Sequence, residues 1–78
     1  MAVFSISNIR KIVGSMNGVT VRSGLDGCLE VRAKEEKEAI LACEEINKAG
    51  FYAEVLGQYN NLGFWLVGAA RDQAAAGR

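Results

Sequence analysis

The sequence predicts an α+β fold with the element order αββαββ: a four-stranded, mostly antiparallel sheet with two helices packed on one face. Three observations predict it. Apolar residues recur at spacings of three and four in two segments, as in amphipathic helices. A pair of short runs rich in alternating or branched apolar residues follows each segment. Glycine-containing turns separate the runs within each pair, which is typical of β-hairpins.

The first helix is predicted over Ser5–Met16, where the apolar side chains form one stripe. Ser5 can cap its first turn, and Asn17-Gly18 supplies a stop because glycine accepts the left-handed conformation beyond a helix end. The second helix is predicted over Lys34–Ala49, followed by Gly50. Its predicted inner stripe comprises Ala39, Ile40, Ala42, Cys43 and Ile46.

The first hairpin is predicted to join Val19–Arg22 to Cys28–Ala33 through a turn that contains Gly24 and Asp26-Gly27. Alternation along both runs gives one apolar face, which we expect to pack on the helices, and one polar face. The predicted polar face carries Thr20, Arg22, Cys28, Glu30 and Arg32.

The second hairpin is predicted to join Phe51–Tyr59 to Phe64–Ala69 across a turn at Asn60-Asn61-Leu62-Gly63. We therefore expect a single α+β domain over 1–69 and a flexible or weakly helical tail over 70–78. The two halves of the chain match in layout, which fits either an αββ duplication or convergence on the same pattern.

Apolar residues occupy both faces of the last predicted strand. Either Phe64 and Leu66 or Trp65 and Val67 must pack on the helices, and two helices leave the other pair uncovered. Exposed apolar patches on small domains mark interaction sites. The alternative is that the tail folds back as a third helix and buries the patch.

The nine basic and nine acidic residues balance to a net charge of zero, which removes long-range repulsion between copies. We expect a small non-catalytic protein-interaction module, binding a protein partner or itself as a homodimer through the open sheet face or an edge strand. By analogy of size alone, phage-encoded or mobile-element regulators and inhibitors act in this way. The expected interface residues are Tyr52, Leu56, Phe64, Trp65, Arg22 and Arg32.

The alternative function is nucleic-acid binding on the open face of the sheet. Tyr52 and Trp65 could stack on bases, with Arg22 and Arg32 near phosphates. The balanced charge argues against it, because nucleic-acid-binding domains carry a basic footprint.

Catalysis is not expected, because the chain has no histidine and no serine has a base to activate it. Glu30 and Glu54 could form an acid–base pair, but arginines on the same face would neutralise them. Cys28 and Cys43 match no zinc-site spacing and are expected to be reduced thiols. We expect no metal or cofactor, no membrane span and a cytoplasmic location.

Overall fold

The fold is described by a computed structural model for residues 3–24, 27–59 and 63–73. Its four strands form one antiparallel sheet in the order β1-β2-β4-β3, which confirms the predicted α+β architecture. Neither described helix has the length and apolar character needed to cross a bilayer. The elements are α1 (Ile6–Val13), β1 (Val19–Ser23), β2 (Leu29–Ala33), α2 (Glu36–Lys48), β3 (Tyr52–Tyr59) and β4 (Phe64–Ala70).

Some predictions fall on residues outside this description. Asp26 of the first predicted turn and residues 60–62 of the second are among them, as is most of the predicted tail, 74–78. Ala70, placed in the tail by the sequence, is the last residue of β4 and is buried.

Helix α1 begins as predicted and ends early. Ser5 caps it, because its Oγ accepts a hydrogen bond of 3.2 Å from the backbone N–H of Asn8. The helix ends at Val13 rather than at the predicted Met16. The segment that follows begins with Gly14-Ser15, and glycine in particular has a low helix propensity.

Helix α2 buries a narrower stripe than the sequence predicts. Ala39, Ala42 and Ile46 are fully buried, whereas the side chain of Ile40 is 44% exposed. The inclusion of Ile40 in the inner stripe is therefore wrong. Each helical residue turns the side-chain direction by about 100°, which carries Ile40 from the buried side of Ala39 to the flank beside Cys43.

The core lies between the helices and one face of the sheet. Alternate residues of β2, namely Leu29, Val31 and Ala33, are buried as predicted. Helix α1 contacts β1 and α2, and α2 contacts β2, β3 and β4. In β4, Val67 joins the core cluster and Trp65 packs against it. The pair that faces the helices is therefore Trp65 and Val67, and Phe64 and Leu66 face the other way.

We expect Ile46→Ala to lower the free energy of unfolding by about 2–5 kcal/mol, because it leaves a cavity in the core. Ile40→Ala, the same change on the same helix, should cost less than about 1 kcal/mol because Ile40 is already half exposed. Urea denaturation of both variants measures the difference, and equal losses would contradict this assignment of the buried side of α2.

Candidate interaction site

The open face is the face of the sheet on which no described helix packs. The residues of β4 that alternate with the core, among them Phe64 and Gly68, lie on it. Of the residues expected to form the interface, five lie on this face: Tyr52, Leu56, Phe64, Arg22 and Arg32.

Trp65 does not belong to the open face. It pairs with Ala33 of β2 and Gln58 of β3, and its side chain packs against the core cluster. The period of two along β4 determines this, since Val67 is fully buried between helices and sheet. Of the two alternatives for β4, the structure therefore places Trp65 on the helix side, outside the open face on which the interface is expected. Tyr52 and Trp65 also cannot stack together on one nucleic-acid strand, because they lie on opposite faces.

A β-bulge in β3 sets the position of Leu56. The pairing of β3 with β4 shifts between Val55 and Gly57, which leaves Leu56 as an extra residue. Gly57 takes a φ of +132°, a conformation that residues with side chains rarely adopt. Leu56 is 53% exposed and lies over Gly68: a Cβ added at Gly68 would come within 3.1 Å of the Leu56 Cδ1 atom.

A depression of about 190 Å³ lies beside Leu56 on the open face. Binding pockets for drug-sized molecules are larger, so this depression has room for about one side chain. Mostly apolar surface lines it, with one carboxylate, that of Glu54, at its rim. The lining residues are Cys28, Glu54, Leu56, Gly68, Ala69 and Ala70.

Charged side chains on the open face are partly neutralised within the chain. The Nε atom of Arg32 donates a hydrogen bond of 2.7 Å to Glu30, and its guanidinium lies 4.5 Å from the centre of the Phe64 ring. Glu30 is thus neutralised, as expected, by an arginine of the same face, and that arginine belongs to its own strand, β2. Glu54 pairs with no arginine of the described residues and instead accepts a hydrogen bond of 3.0 Å from the hydroxyl of Tyr52.

The outer edge of β3 is partly closed by Asn47, a residue that the sequence analysis did not single out. The Asn47 side chain accepts from the backbone N–H of Ala53 at 2.9 Å and donates to the Ala53 carbonyl at 3.2 Å. These are the two bonds that a neighbouring strand would make. An asparagine in the last turn of a helix indicates a helix end, so this role had no clear sequence signal.

Cys43 joins the same cluster, and its thiol donates a hydrogen bond of 3.1 Å to the Ala53 carbonyl. Partial burial raises the pKa of the Cys43 thiol above its ordinary value, and the negative charges of Glu44 and Glu54 add to this effect. A hydrogen bond that the Asn47 side chain donates to the Cys43 sulfur lowers this pKa and partly offsets the increase. Cys43 is therefore a hydrogen-bond donor at the edge of β3.

Comparisons with known proteins gave no relative. No protein-family model matches the chain, and neither the curated proteins nor the solved structures contain a match. Within residues 3–24, 27–59 and 63–73, no three cysteine or acidic side chains lie close enough together to hold a metal ion. The geometry of the open face and of the β3 edge therefore carries the functional argument.

We expect Glu54→Gln to lower the pKa of Tyr52, because the hydrogen bond to the Glu54 carboxylate is the main cause that raises it. The raised pKa means that this bond stabilises the fold below pH 10.0, the ordinary value, and that the contribution is lost as the pH rises through the folded pKa. Absorbance titration in a Tyr59→Phe background isolates the Tyr52 phenol. An unchanged midpoint in the Glu54→Gln variant would contradict the assigned cause.

We expect Asn47→Ala to lower the free energy of unfolding by about 1–3 kcal/mol, because it leaves the N–H and C=O groups of Ala53 without the Asn47 side chain. Lys48→Ala, at the exposed neighbouring position, serves as the matched control and should change stability by less than about 0.5 kcal/mol. Chemical denaturation measures both. Equal effects would show that the Asn47 bonds contribute nothing to the fold.

Proposed function

We propose that this chain is a small non-catalytic protein-interaction domain that binds a protein partner, or a second copy of itself, through the β3 side of its open sheet face. The observation that carries the proposal is Leu56. The bulge in β3 holds this large apolar side chain half exposed above Gly68, on a face that no described helix covers. An apolar group held in this way beside a concave surface is typical of a binding hot spot.

Phe64 and Tyr52 extend this surface on either side of Leu56, along β4 and β3 respectively. Both side chains are partly exposed, and each is anchored by a contact within the chain: Phe64 by the Arg32 guanidinium and Tyr52 by the Glu54 carboxylate. Aromatic side chains with few rotatable bonds lose little entropy on binding, which favours them at interfaces.

Occlusion of a surface on a larger protein is the mode of action that suits a domain of 78 residues with zero net charge. This includes the inhibitors and regulators that phages and mobile elements encode. The two cysteines are free thiols, which suits a reducing compartment such as the cytoplasm.

Nucleic-acid binding has less support. The separation of Tyr52 and Trp65 onto opposite faces removes the stacking pair on which that alternative depends. Arg32, one of the two arginines it needs, is already engaged by Glu30. Arg22 is exposed and remains able to contact a phosphate, but a single cation gives a weak footprint.

Leu56→Glu should abolish partner binding, because it places a carboxylate in the apolar centre of the surface. The test compares proteins retained from the source cell by the tagged wild type and by the variant, together with the oligomeric state by light scattering. Leu56 is exposed, so the thermal midpoint should change by no more than a few degrees.

Leu41→Glu is the matched control, because Leu41 is also half exposed but lies on α2, away from the open face. The Leu41→Glu variant should retain every partner that the wild type binds specifically. The proposal fails where Leu56→Glu and the wild type retain the same partners and show the same oligomeric state.

A further inference from the structure

The two edges of the sheet are unequally protected. The β1 edge is short, five residues, and Arg10 donates a hydrogen bond of 3.3 Å to the Val21 carbonyl on it. The β3 edge is eight residues long and is closed by Asn47 at Ala53. Charged and short edges resist the addition of a further strand, and a long edge without such devices accepts one.

Beyond Ala53, none of the side-chain or loop hydrogen bonds of the described residues reaches the outer edge of β3. The pairing of β3 with β4 is regular from Tyr52 to Val55, so the backbone groups of Ala53 and Val55 point in the same direction. Because Ala53 directs its N–H and C=O to Asn47 and away from β4, Val55 presents the same two groups outward. Val55 is 37% exposed, and Glu54 and Leu56 on either side of it are exposed as well.

Apolar surface flanks this open stretch on the helix side of the sheet. Cys43 and Asn47 both bond to Ala53, and Ile40 lies one turn before Cys43 on the same side of α2. A short connection joins α2 to β3, so the two elements run in opposite directions. Moving from Cys43 back to Ile40 along α2 therefore follows the same direction as moving from Ala53 on to Val55 along β3.

The charge at this edge is negative. Glu54 lies on the open face, where it pairs with Gly68, and Glu44 lies on α2, which packs on the other face of the sheet. The negative charges of both carboxylates also act on the Cys43 thiol at the edge. Neither makes an ion pair with any lysine or arginine of the described chain. Pairing with the same edge of a second copy would bring these acidic groups together, which is unfavourable. A basic strand would neutralise them.

We propose that the β3 edge, from Val55 onward, binds an extended basic segment of a partner protein by strand addition. Backbone bonds to Val55 supply the attachment, apolar side chains of the segment lie towards Ile40 and Val55, and its lysines or arginines lie towards Glu54. This inference rests on the proposed function, because the partner that contributes the basic segment is the one proposed to bind at Leu56.

The probe is the blocked peptide Thr-Arg-Val-Arg-Val-Arg-Thr, with the peptide carrying glutamate in place of arginine as its charge-reversed control. Titration into the ¹⁵N-labelled full chain should shift the amide signal of Val55 and slow its hydrogen exchange. The basic peptide should bind at least roughly fivefold more tightly than the acidic one at low salt. High salt should weaken its binding, because these charges are exposed.

Glu54→Lys should reverse the preference between the two peptides. Glu38→Lys, which changes the net charge equally but lies on the side of α2 away from Cys43, should not. Equal binding of both peptides, an unaffected Val55 amide, or no saturable binding overturns the inference. Without peptide, slower hydrogen exchange of the Val55 amide at higher protein concentration also overturns the inference, because a second copy then occupies the edge. The Leu56→Glu test examines the open face independently of the β3 edge. Failure of the peptide to bind therefore contradicts this inference without contradicting the proposed function.

Discussion

The two described helices, α1 and α2, cover one face of this four-stranded sheet, and the contrast between the covered face and the open face determines where apolar side chains are exposed. The covered face can be built from buried branched and small residues because α1 and α2 exclude water from it. The open face has to shield its apolar residues with side chains from the strands themselves. Leu66 is only 6% exposed there, lying between Arg32 of β2 and Gly57 of β3 in the paired strands. Part of the apolar surplus of the second hairpin is thus absorbed within the sheet, whereas Leu56, 53% exposed, is not.

The bulge explains why Leu56 stands apart. A regular strand would also place Leu56 on the open face but would pair it with Leu66, whereas the bulge leaves Leu56 out of the ladder and puts Gly57 opposite Leu66. Gly57 permits the backbone conformation and Gly68 leaves room beneath the side chain. Gly57 and Gly68 thus act together on Leu56, and glycine inside a strand run is typical of a bulge or a close backbone approach. A half-exposed leucine held in this way is unfavourable on a surface that contacts only water.

Much of the fold follows from local patterns that the sequence displays directly: Ser5 before an apolar stripe, alternation in β2, and glycines at both hairpins. The strand order is different, because it depends on which hairpin edges meet and no local pattern encodes that. The outward direction of Phe64 rather than Trp65 could not be predicted because both faces of β4 are apolar, and only the pairing with Ala33 and Val31 decides it. Asn47 was missed for a related reason, since its hydrogen bonds to Ala53 join two elements that a linear pattern treats separately.

The two edges of the sheet, like its two faces, are unequally protected. Any open sheet has two strands with unpaired backbone groups, and natural proteins protect them because they promote aggregation. This chain uses a guanidinium at Val21 and a carboxamide at Ala53, both of which reach the edge from a helix packed on the covered face. The carboxamide reaches only one residue of β3, and the strand then continues past it with exposed side chains on both faces. This protection stops halfway along the longer edge, next to the carboxylates of Glu44 and Glu54, which pair with no lysine or arginine of the described residues. The remaining segment of β3 therefore favours pairing with a basic strand and disfavours pairing with the same edge of a second copy.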